Sequence, residues 1–372
     1  MHSHLHDLGR VEDDNITGVE FLAGYSPLYW RWYTIIRHLH LPALLHEAVA
    51  FVSLPVFLLK RRKEALAIKQ SFDQAVVLYF YGGTQLSTEW FRFNMLPLWL
   101  TLLAAKLHRV PVYFGPQQYG PQSPGQLALM RWTLALLVRA ARVRNPNCLD
   151  LLGLPTEALL YDEVYSCTEL YPIIAERSGL HNDPYLLINV RGSIFVDNDA
   201  EPEFATTVAL IKALQQRLGL PIKIFQMSGP SFCDDQKILD HLAGHDLGPI
   251  EVVPVFRDEY ELIKLAQGAY GMVSMSFHGC MFGMIGGCPA LPLSSGGYYD
   301  YKYVDYERYT GGQSASVVFL DRLDPEATAD MIVTYFANYD AARTAATRRQ
   351  ADSLMQAWYQ RIAVDLAHAN HV

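Results

Sequence analysis

The feature that most constrains this chain is a repeated alternation of short, apolar, β-branched runs with longer helical runs. In the first half, the runs 75–81 (AVVLYFY) and 110–114 (VPVYF) predict buried strands, because each is apolar throughout and ends at glycine. Helices are predicted at 89–108 and 127–141, and further short strands at 142–144 and 158–161. This alternation is typical of an open parallel sheet covered by helices.

The second half repeats the alternation more regularly. Strands are predicted at 185–190, 222–226, 250–253, 271–275 and 289–293, with helices at 204–218, 234–242, 259–267 and 277–285. Asp324 as a cap and Pro325 at the first helical position predict a helical tail running to about residue 368. We therefore predict an α/β protein of two Rossmann-like domains, 1–178 and 179–372, that face a cleft, with a long C-terminal helical tail.

Composition excludes several classes of protein. The chain is 51% hydrophobic and 18% charged, so it can bury a large core, and its net charge of −8 argues against a nucleic-acid partner. The five cysteines form no C-x-x-C pair, so neither a metal site nor a disulfide framework is predicted. The polar, acidic start does not resemble a signal peptide, and we expect a cytoplasmic protein.

The segment 273–279 (VSMSFHG) is the strongest candidate for an active site. A buried strand is predicted to end here, which places His278 in the first turn of the next helix. The backbone N–H groups of Ser276, Phe277 and Gly279 and the helix dipole would then attract an anion, and an imidazole transfers protons near neutral pH. The alternative is a histidine that caps a packed helix.

A second cation is predicted at the end of another strand. Arg191 directly follows the apolar run 185–190 (YLLINV), so its guanidinium is expected to point into the crevice and to hold a phosphate or carboxylate. The alternative is an arginine that extends from the sheet edge into solvent.

Two turns in the first half are candidates for binding an acceptor. Gly82 and Gly83 follow a predicted strand and precede Gln85, but the full G-x-G-x-x-G pattern is absent. Gln117 and Gln118 lie in a loop bounded by glycine and proline, where their amides could hydrogen-bond sugar hydroxyls. Ordinary turn formation explains the same residues.

The segment 296–309 carries six tyrosines around Lys302. Tyrosine rings stack on sugars, so Tyr298 and Tyr299 are candidate acceptor contacts and Lys302 a candidate donor contact. The alternative is an amphipathic packing segment, and the two interpretations are compatible.

An apolar stretch at 48–59 is followed at once by the cations Lys60–Lys63. Twelve residues are too few to span a bilayer, which needs about 20. The segment is therefore either a buried helix with a solvated basic end or an interfacial patch on anionic lipid.

Several ordered segments together resemble the polysaccharide pyruvyl transferase family. They are 73–83 (DQAVVLYFYGG), 113–121 (YFGPQQYGP), 147–153 followed by Tyr161-Asp162, the strand ending at Arg191, and 258–289 followed by Tyr299–Lys302. His278 falls on the family histidine. Two features depart from the family: Ser276 stands where the family has arginine, and the N-terminal N-x-G-D turn is reduced to 15–18 (NITG).

The resemblance implies a fold like that of two-domain (GT-B-type) glycosyltransferases, with an acceptor-side first domain and a donor-binding second domain. It also implies phosphoenolpyruvate as co-substrate, without a further cofactor, and a glycan or lipid-linked saccharide as acceptor in surface polysaccharide synthesis. A lipid-linked acceptor would bring the protein to the inner face of the membrane. The alternatives are a nucleotide-sugar glycosyltransferase on the same fold and a catalytically degenerate glycan-binding relative.

Overall fold

The computed structural model describes residues 70, 72–83, 86, 98–99, 101–120, 122–171, 173–174, 183–190, 201–227, 242, 245, 247–253, 258–314 and 317–369. The chain divides into two compact units, Met1–Glu163 with Ala357–Val372, and Val164–Gln356. The predicted domains, 1–178 and 179–372, divide the chain at a different place and leave its end in the second domain. The end belongs with the first unit because Trp358 is buried there, with the Arg142 guanidinium 3.9 Å from its ring centroid.

The first unit is built on a three-stranded parallel sheet. Its strands are β1 (Leu78–Phe80), β2 (Val112–Gln117) and β3 (Ala140–Val143), in the order β1-β2-β3. The strand predicted at 158–161 is wrong, because Pro155 leads into a 3₁₀ turn at Thr156–Ala158 and only Leu159 bridges to Val143. The parallel strands agree with the predicted class.

Helices cover this sheet. Residues 98–99 and 101–107 are helical and are followed by α1 (Pro124–Leu137), α2 (Asn147–Leu152) and the short α3 (Glu163–Ser166). Helix α1 begins three residues before the predicted start, because Ser123 and Gln126 form a reciprocal capping box. The core between the helices and the sheet includes Leu102, Met130 and Val143, each fully buried.

The second unit is built on a six-stranded parallel sheet. Its strands are β4 (Tyr185–Asn189), β5 (Ile222–Phe225), β6 (Ile250–Val253), β7 (Ala269–Ser274), β8 (Ala290–Ser294) and β9 (Val318–Phe319). They lie in the order β6-β5-β4-β7-β8-β9, so the chain winds outward in one direction from β4 and then in the other from β7. This is the doubly wound Rossmann order, whose topological switch point lies between β4 and β7.

The helices of the second unit are α4 (Glu201–Leu218), α5 (Glu259–Gln267), α6 (Phe277–Ile285), α7 (Tyr298–Lys302), α8 (Tyr306–Tyr309) and α9 (Pro325–Ala337). Helix α10 (Ala341–Ala369) begins in this unit and ends in the first. The Asp324 side chain accepts hydrogen bonds from the amides of Glu326 and Ala327, which confirms the predicted cap. The predicted helical tail consists of two helices, because the Asp340 side chain starts the second one by accepting a hydrogen bond from the Arg343 amide.

Helix α9 packs closely on the sheet at one glycine. Phe336 is fully buried, and a Cβ added to Gly271 of β7 would lie 2.3 Å from the Phe336 ring. Only a residue without a side chain therefore fits at position 271 while Phe336 keeps this place.

Candidate active site

The carboxyl ends of β4, β5 and β7 are joined by a buried polar network at the switch point of the second sheet. The Met275 amide donates to the Asn189 carbonyl at 2.9 Å, and the Asn189 side chain donates to the Phe225 carbonyl at 2.9 Å. The Ser274 hydroxyl donates to the Asn189 side-chain oxygen at 3.2 Å. Ligands of open α/β sheets bind at the switch point. The network therefore fixes the backbone around a candidate ligand-binding site.

The start of α6 is fixed by Ser276. Its hydroxyl accepts a hydrogen bond from the Gly279 amide at 3.2 Å, and its own amide donates to the Ser274 hydroxyl at 3.0 Å. Ser276 is 4% exposed, so its side chain serves as the N-cap of the helix. Gly279 allows this close turn, since a Cβ there would lie 2.6 Å from the Ser274 hydroxyl oxygen.

His278 lies in the first turn of α6, as predicted, and is half-buried. Its ring meets the Phe277 ring edge to face at 5.8 Å. The first-turn amides and the helix dipole carry partial positive charge at this end of the helix. An imidazole placed here can pass a proton to a bound anion.

Lys302 brings a full positive charge to the same place. Its ammonium nitrogen lies 5.9 Å from the centroid of the Phe277 ring, at the beginning of α6. Lys302 is half-buried at the end of α7. Of the predicted donor-side residues, Ser276, Phe277, His278 and Gly279 follow one another at the start of α6, and Lys302 lies near the Phe277 ring. Donor binding by these residues stays a prediction.

The neighbouring thiol does not join this chemistry. Cys280 is fully buried, and burial raises the pKa of its thiol to about 12. The thiol is therefore protonated at neutral pH and is not a nucleophile.

The tyrosine segment forms part of the packing that supports α6. Tyr299, Tyr303, Tyr306 and Tyr309 are all buried. The Tyr303 hydroxyl donates to the Met275 carbonyl at 2.6 Å, directly before the helix. For these four residues the packing interpretation holds, whereas the side chain of Tyr298 lies outside the described residues. Acceptor binding by Tyr298 and Tyr299 stays a prediction.

The first unit gathers a separate polar cluster where β1 and β2 end. The Glu163 carboxylate accepts hydrogen bonds from the Gly82 amide, the Tyr79 hydroxyl and the Tyr359 hydroxyl, the last at 3.3 Å. Glu163 is 8% exposed, and burial raises the pKa of its carboxyl to about 7. This residue was not predicted from the sequence, because its partners Tyr79, Gly82 and Tyr359 are far away in the chain and no local pattern marks it.

Gln117 and Gln118 donate hydrogen bonds to backbone carbonyls at the Gly82–Gly83 turn. The Gln117 side chain donates to the Tyr81 carbonyl, and the Gln118 backbone N–H donates to the Gly83 carbonyl at 2.7 Å. Both side chains are buried, but only that of Gln117 contacts the turn, because the Gln118 side chain accepts a hydrogen bond from the Arg144 guanidinium at 3.3 Å. Sugar binding by these two amides stays a prediction.

Tyr81 is the exposed aromatic residue of this edge. It is 64% exposed and directly precedes the glycine turn. Its ring meets that of Tyr79 edge to face at 5.4 Å, which links it to the Glu163 cluster. An exposed ring beside a glycine turn offers a flat surface on which a sugar can stack.

Two predicted site residues, Arg191 and Gln85, lie outside the described residues. Among the residues that are described, no group of three or more His, Cys, Asp or Glu side chains could hold a metal ion. The helices within the same residues include none that is both long and apolar enough to cross a bilayer.

The geometry defines a class first: an α/β protein with parallel sheets in two units and a histidine at the switch point of the second. The sequence model of the polysaccharide pyruvyl transferase family matches residues 22–297. The chain belongs to the polysaccharide pyruvyl transferase family and is a transferase. This confirms the family predicted from the sequence.

Comparison with other proteins adds distant likenesses. No curated protein matches the chain. Similar solved structures include the UDP co-structure of MnaA from S. aureus (TM-score 0.49, 14% identity, 77% of each chain). They also include UDP-GlcNAc 2-epimerase from Neisseria meningitidis bound to UDP-GlcNAc (TM-score 0.48, 12% identity, 80% of this chain and 79% of that chain). MurG from Acinetobacter baumannii is similar as well (TM-score 0.44, 15% identity, 80% of this chain and 74% of that chain). At such scores these likenesses carry no functional argument.

Proposed function

We propose that this transferase moves pyruvate from phosphoenolpyruvate onto a pair of glycan hydroxyls and forms a cyclic ketal. The observation that carries the proposal is the placement of His278 and Lys302 at the start of α6, beside the switch point of the second sheet. A proton donor, a fixed cation and helix-terminal amides are what a small substrate with two anionic groups requires.

Phosphoenolpyruvate carries a carboxylate and a phosphate, so it needs two anion-binding elements. The Ser276 and Gly279 amides already donate to serine hydroxyls, so the positive end of the α6 dipole would attract one group and Lys302 would neutralise charge beside it. Arg191 follows β4 in the chain, and we propose that its guanidinium holds the second group as a bidentate partner. Ser276 brings no charge, so Lys302 and Arg191 would take over the task of the family arginine.

In the proposed reaction His278 acts as general acid and protonates the methylene carbon of phosphoenolpyruvate, which leaves a cationic central carbon. The first acceptor hydroxyl adds to that carbon and gives its proton to the His278 imidazole, which restores the acid. The carbon–oxygen bond to phosphate then breaks, and the phosphate departs with the bonding electron pair. The second hydroxyl adds to the same carbon and gives its proton to the departing phosphate, which closes the ketal. No oxidant or metal enters this balance.

We propose that the acceptor binds at the glycine turn of the first unit. Gly82, Gly83 and Gln85 would contact its hydroxyls, and the exposed Tyr81 ring would stack on a sugar face. Replacing Tyr81 by alanine should raise the KM for the acceptor with little effect on the KM for phosphoenolpyruvate. Tyr81→Phe keeps the ring and is the matched control.

Donor binding is tested by calorimetric titration of the purified protein with phosphoenolpyruvate, beside the variants Lys302→Ala and Arg191→Ala. The proposal expects saturable heat that each variant weakens at least tenfold. Heat from a nucleotide sugar and none from phosphoenolpyruvate would favour a glycosyltransferase instead. If neither donor gives binding heat, even after acceptor is added, the result would favour a degenerate glycan-binding protein.

The role of His278 is tested by turnover. A general acid contributes about 10²–10⁴-fold, so His278→Ala should lower kcat by that amount while thermal unfolding stays close to the parent. His278→Gln keeps the polarity and size of the side chain without acid function and should be equally slow. Full activity in either variant would remove His278 from the mechanism.

We also propose that the protein works at the inner, cytoplasmic face of a membrane, where a lipid-linked acceptor would lie. The segment 48–63, outside the described residues, would contact the bilayer through its apolar run and the cations Lys60–Lys63. Neutralising these four cations should weaken sedimentation with anionic liposomes. Unchanged sedimentation would refute contact through this segment.

A further inference from the structure

The middle of the first unit carries positive charge only. The sixty residues 90–149 contain seven Lys or Arg and no Asp or Glu, in a chain whose net charge is −8. Among these cations Lys106, Arg109, Arg131 and Arg139 are exposed. Carboxylates from outside the stretch reach it at two places: Asp162 pairs with the buried Arg144, and Asp73 pairs with His108 at 2.9 Å. The exposed Arg131 donates to the Leu151 and Asp150 carbonyls.

The same stretch exposes large apolar side chains. Leu103 and Leu107, one helical turn apart on the helix 101–107, are 46% and 82% exposed. Trp132 and Leu136, one turn apart on α1, are 55% and 47% exposed. Exposed large apolar residues concentrated on two neighbouring helices mark an interaction surface.

Side-chain contacts place the two helices next to each other. The Trp99 and Trp132 rings lie 6.1 Å apart, and the Lys106 ammonium donates to the Leu136 carbonyl at 3.3 Å. Trp99 is held in place because its indole N–H donates to the Thr133 hydroxyl at 2.9 Å. We call the pair, with its exposed residues Leu103, Leu107, Trp132 and Leu136, the apolar-basic face.

We propose that the apolar-basic face docks on an anionic lipid surface. Leucine and tryptophan side chains enter the boundary between headgroups and acyl chains, and the cations at the rim attract anionic headgroups. A nucleic acid would use the cations but leave the leucines in water. If two copies of this face paired with each other, like charges would meet, and their repulsion opposes such a dimer.

The proposal is independent of pyruvyl transfer and of the segment 48–63. The full-length protein is sedimented with phosphatidylcholine vesicles and with phosphatidylcholine–phosphatidylglycerol vesicles, without substrate. We expect binding to the anionic vesicles that weakens with salt. The double variant Leu107→Ser/Trp132→Ser should reduce the partition coefficient at least tenfold, and each of Lys106→Gln and Arg109→Gln roughly fivefold.

Val304→Ser is the matched control, because Val304 is a 49% exposed apolar residue of the second unit. It should leave vesicle binding unchanged. A second measurement follows tryptophan fluorescence quenching by brominated lipid, which should fall in Trp132→Phe even if that variant still binds. Vesicle binding that neither Leu107→Ser/Trp132→Ser nor the cation variants alter would overturn the proposal. So would concentration-dependent dimers, seen by light scattering, that Leu107→Ser/Trp132→Ser abolishes.

Discussion

Ser276 is an uncharged residue whose side chain fixes the start of the helix that carries His278. Its hydroxyl is spent on the Gly279 amide, so the residue stabilises the helix that carries His278 and cannot supply charge. Under the proposed function a cation would have to come from elsewhere, and we propose Lys302, whose ammonium lies 5.9 Å from the centroid of the Phe277 ring.

Loss of this cap gives a prediction for stability. Ser276→Ala should lower the free energy of unfolding by about 1 kcal/mol, because the Gly279 amide loses its acceptor in a buried position. Ser276→Thr retains a hydroxyl and is the control. Chemical denaturation measures both, and an alanine variant as stable as the parent would show that the cap contributes nothing.

Glu163 gives a prediction for pH. Its pKa is raised by burial from 4.5 to about 7, so between these values the folded protein binds more protons than the unfolded chain. The contribution of Glu163 to the free energy of unfolding is therefore complete below about pH 4.5. It is lost as the pH rises through about 7, and the total loss is roughly 3 kcal/mol. Glu163→Gln should flatten that part of the thermal unfolding profile between pH 5 and 8. An identical slope in the variant would contradict the assignment.

Among the structural elements, boundaries marked by local chemistry were predicted well. Strand β6 and helices α5 and α6 have the predicted limits, because a cap such as Asp258 or Ser276 marks the start of each helix. The break between α9 and α10 was missed, since neither glycine nor proline marks it. The polar network at the switch point could not be predicted residue by residue, because Asn189 and Ser274 meet only through sheet pairing.

The Glu163 cluster was missed for the same reason at longer range. Its partners Tyr79, Gly82 and Tyr359 are far away in the chain, and nothing local distinguishes Glu163 from a solvated carboxylate. The predicted glycine turn was therefore found, but the group that holds it was not.

The contact of β7 with α9 gives a prediction at the element scale. Gly271→Ala should destabilise the protein by about 1–3 kcal/mol, since its Cβ would overlap the Phe336 ring. Adding Phe336→Leu should recover part of the loss, which denaturation of the single and double variants measures. Gly125→Ala is the control: nothing lies within 4 Å of its added Cβ, and it should be neutral or slightly stabilising. Additive losses in the double variant would refute this contact as the cause.

At the scale of the whole molecule, the end of the chain is part of the core of the first unit. Trp358 is 3% exposed, meets the Tyr113 ring edge to face at 5.8 Å and lies under the Arg142 guanidinium. Trp358→Ala should cost about 3–5 kcal/mol and lower the unfolding midpoint of the first unit. Val364→Ala, at a 54% exposed position of the same helix, should cost far less. Equal losses in calorimetry would contradict the role of Trp358.

Helix α10 carries the chain from the second unit back into the first. The part of the first unit before Val164 is synthesised ahead of the second unit, yet Trp358, which completes the core of the first unit, is synthesised after it. A nascent chain can therefore complete the second unit before the first unit receives the part of α10 that carries Trp358. A stop codon just before Ala357 would remove that part for good and would expose Tyr113 and Arg142 to chaperones and proteases.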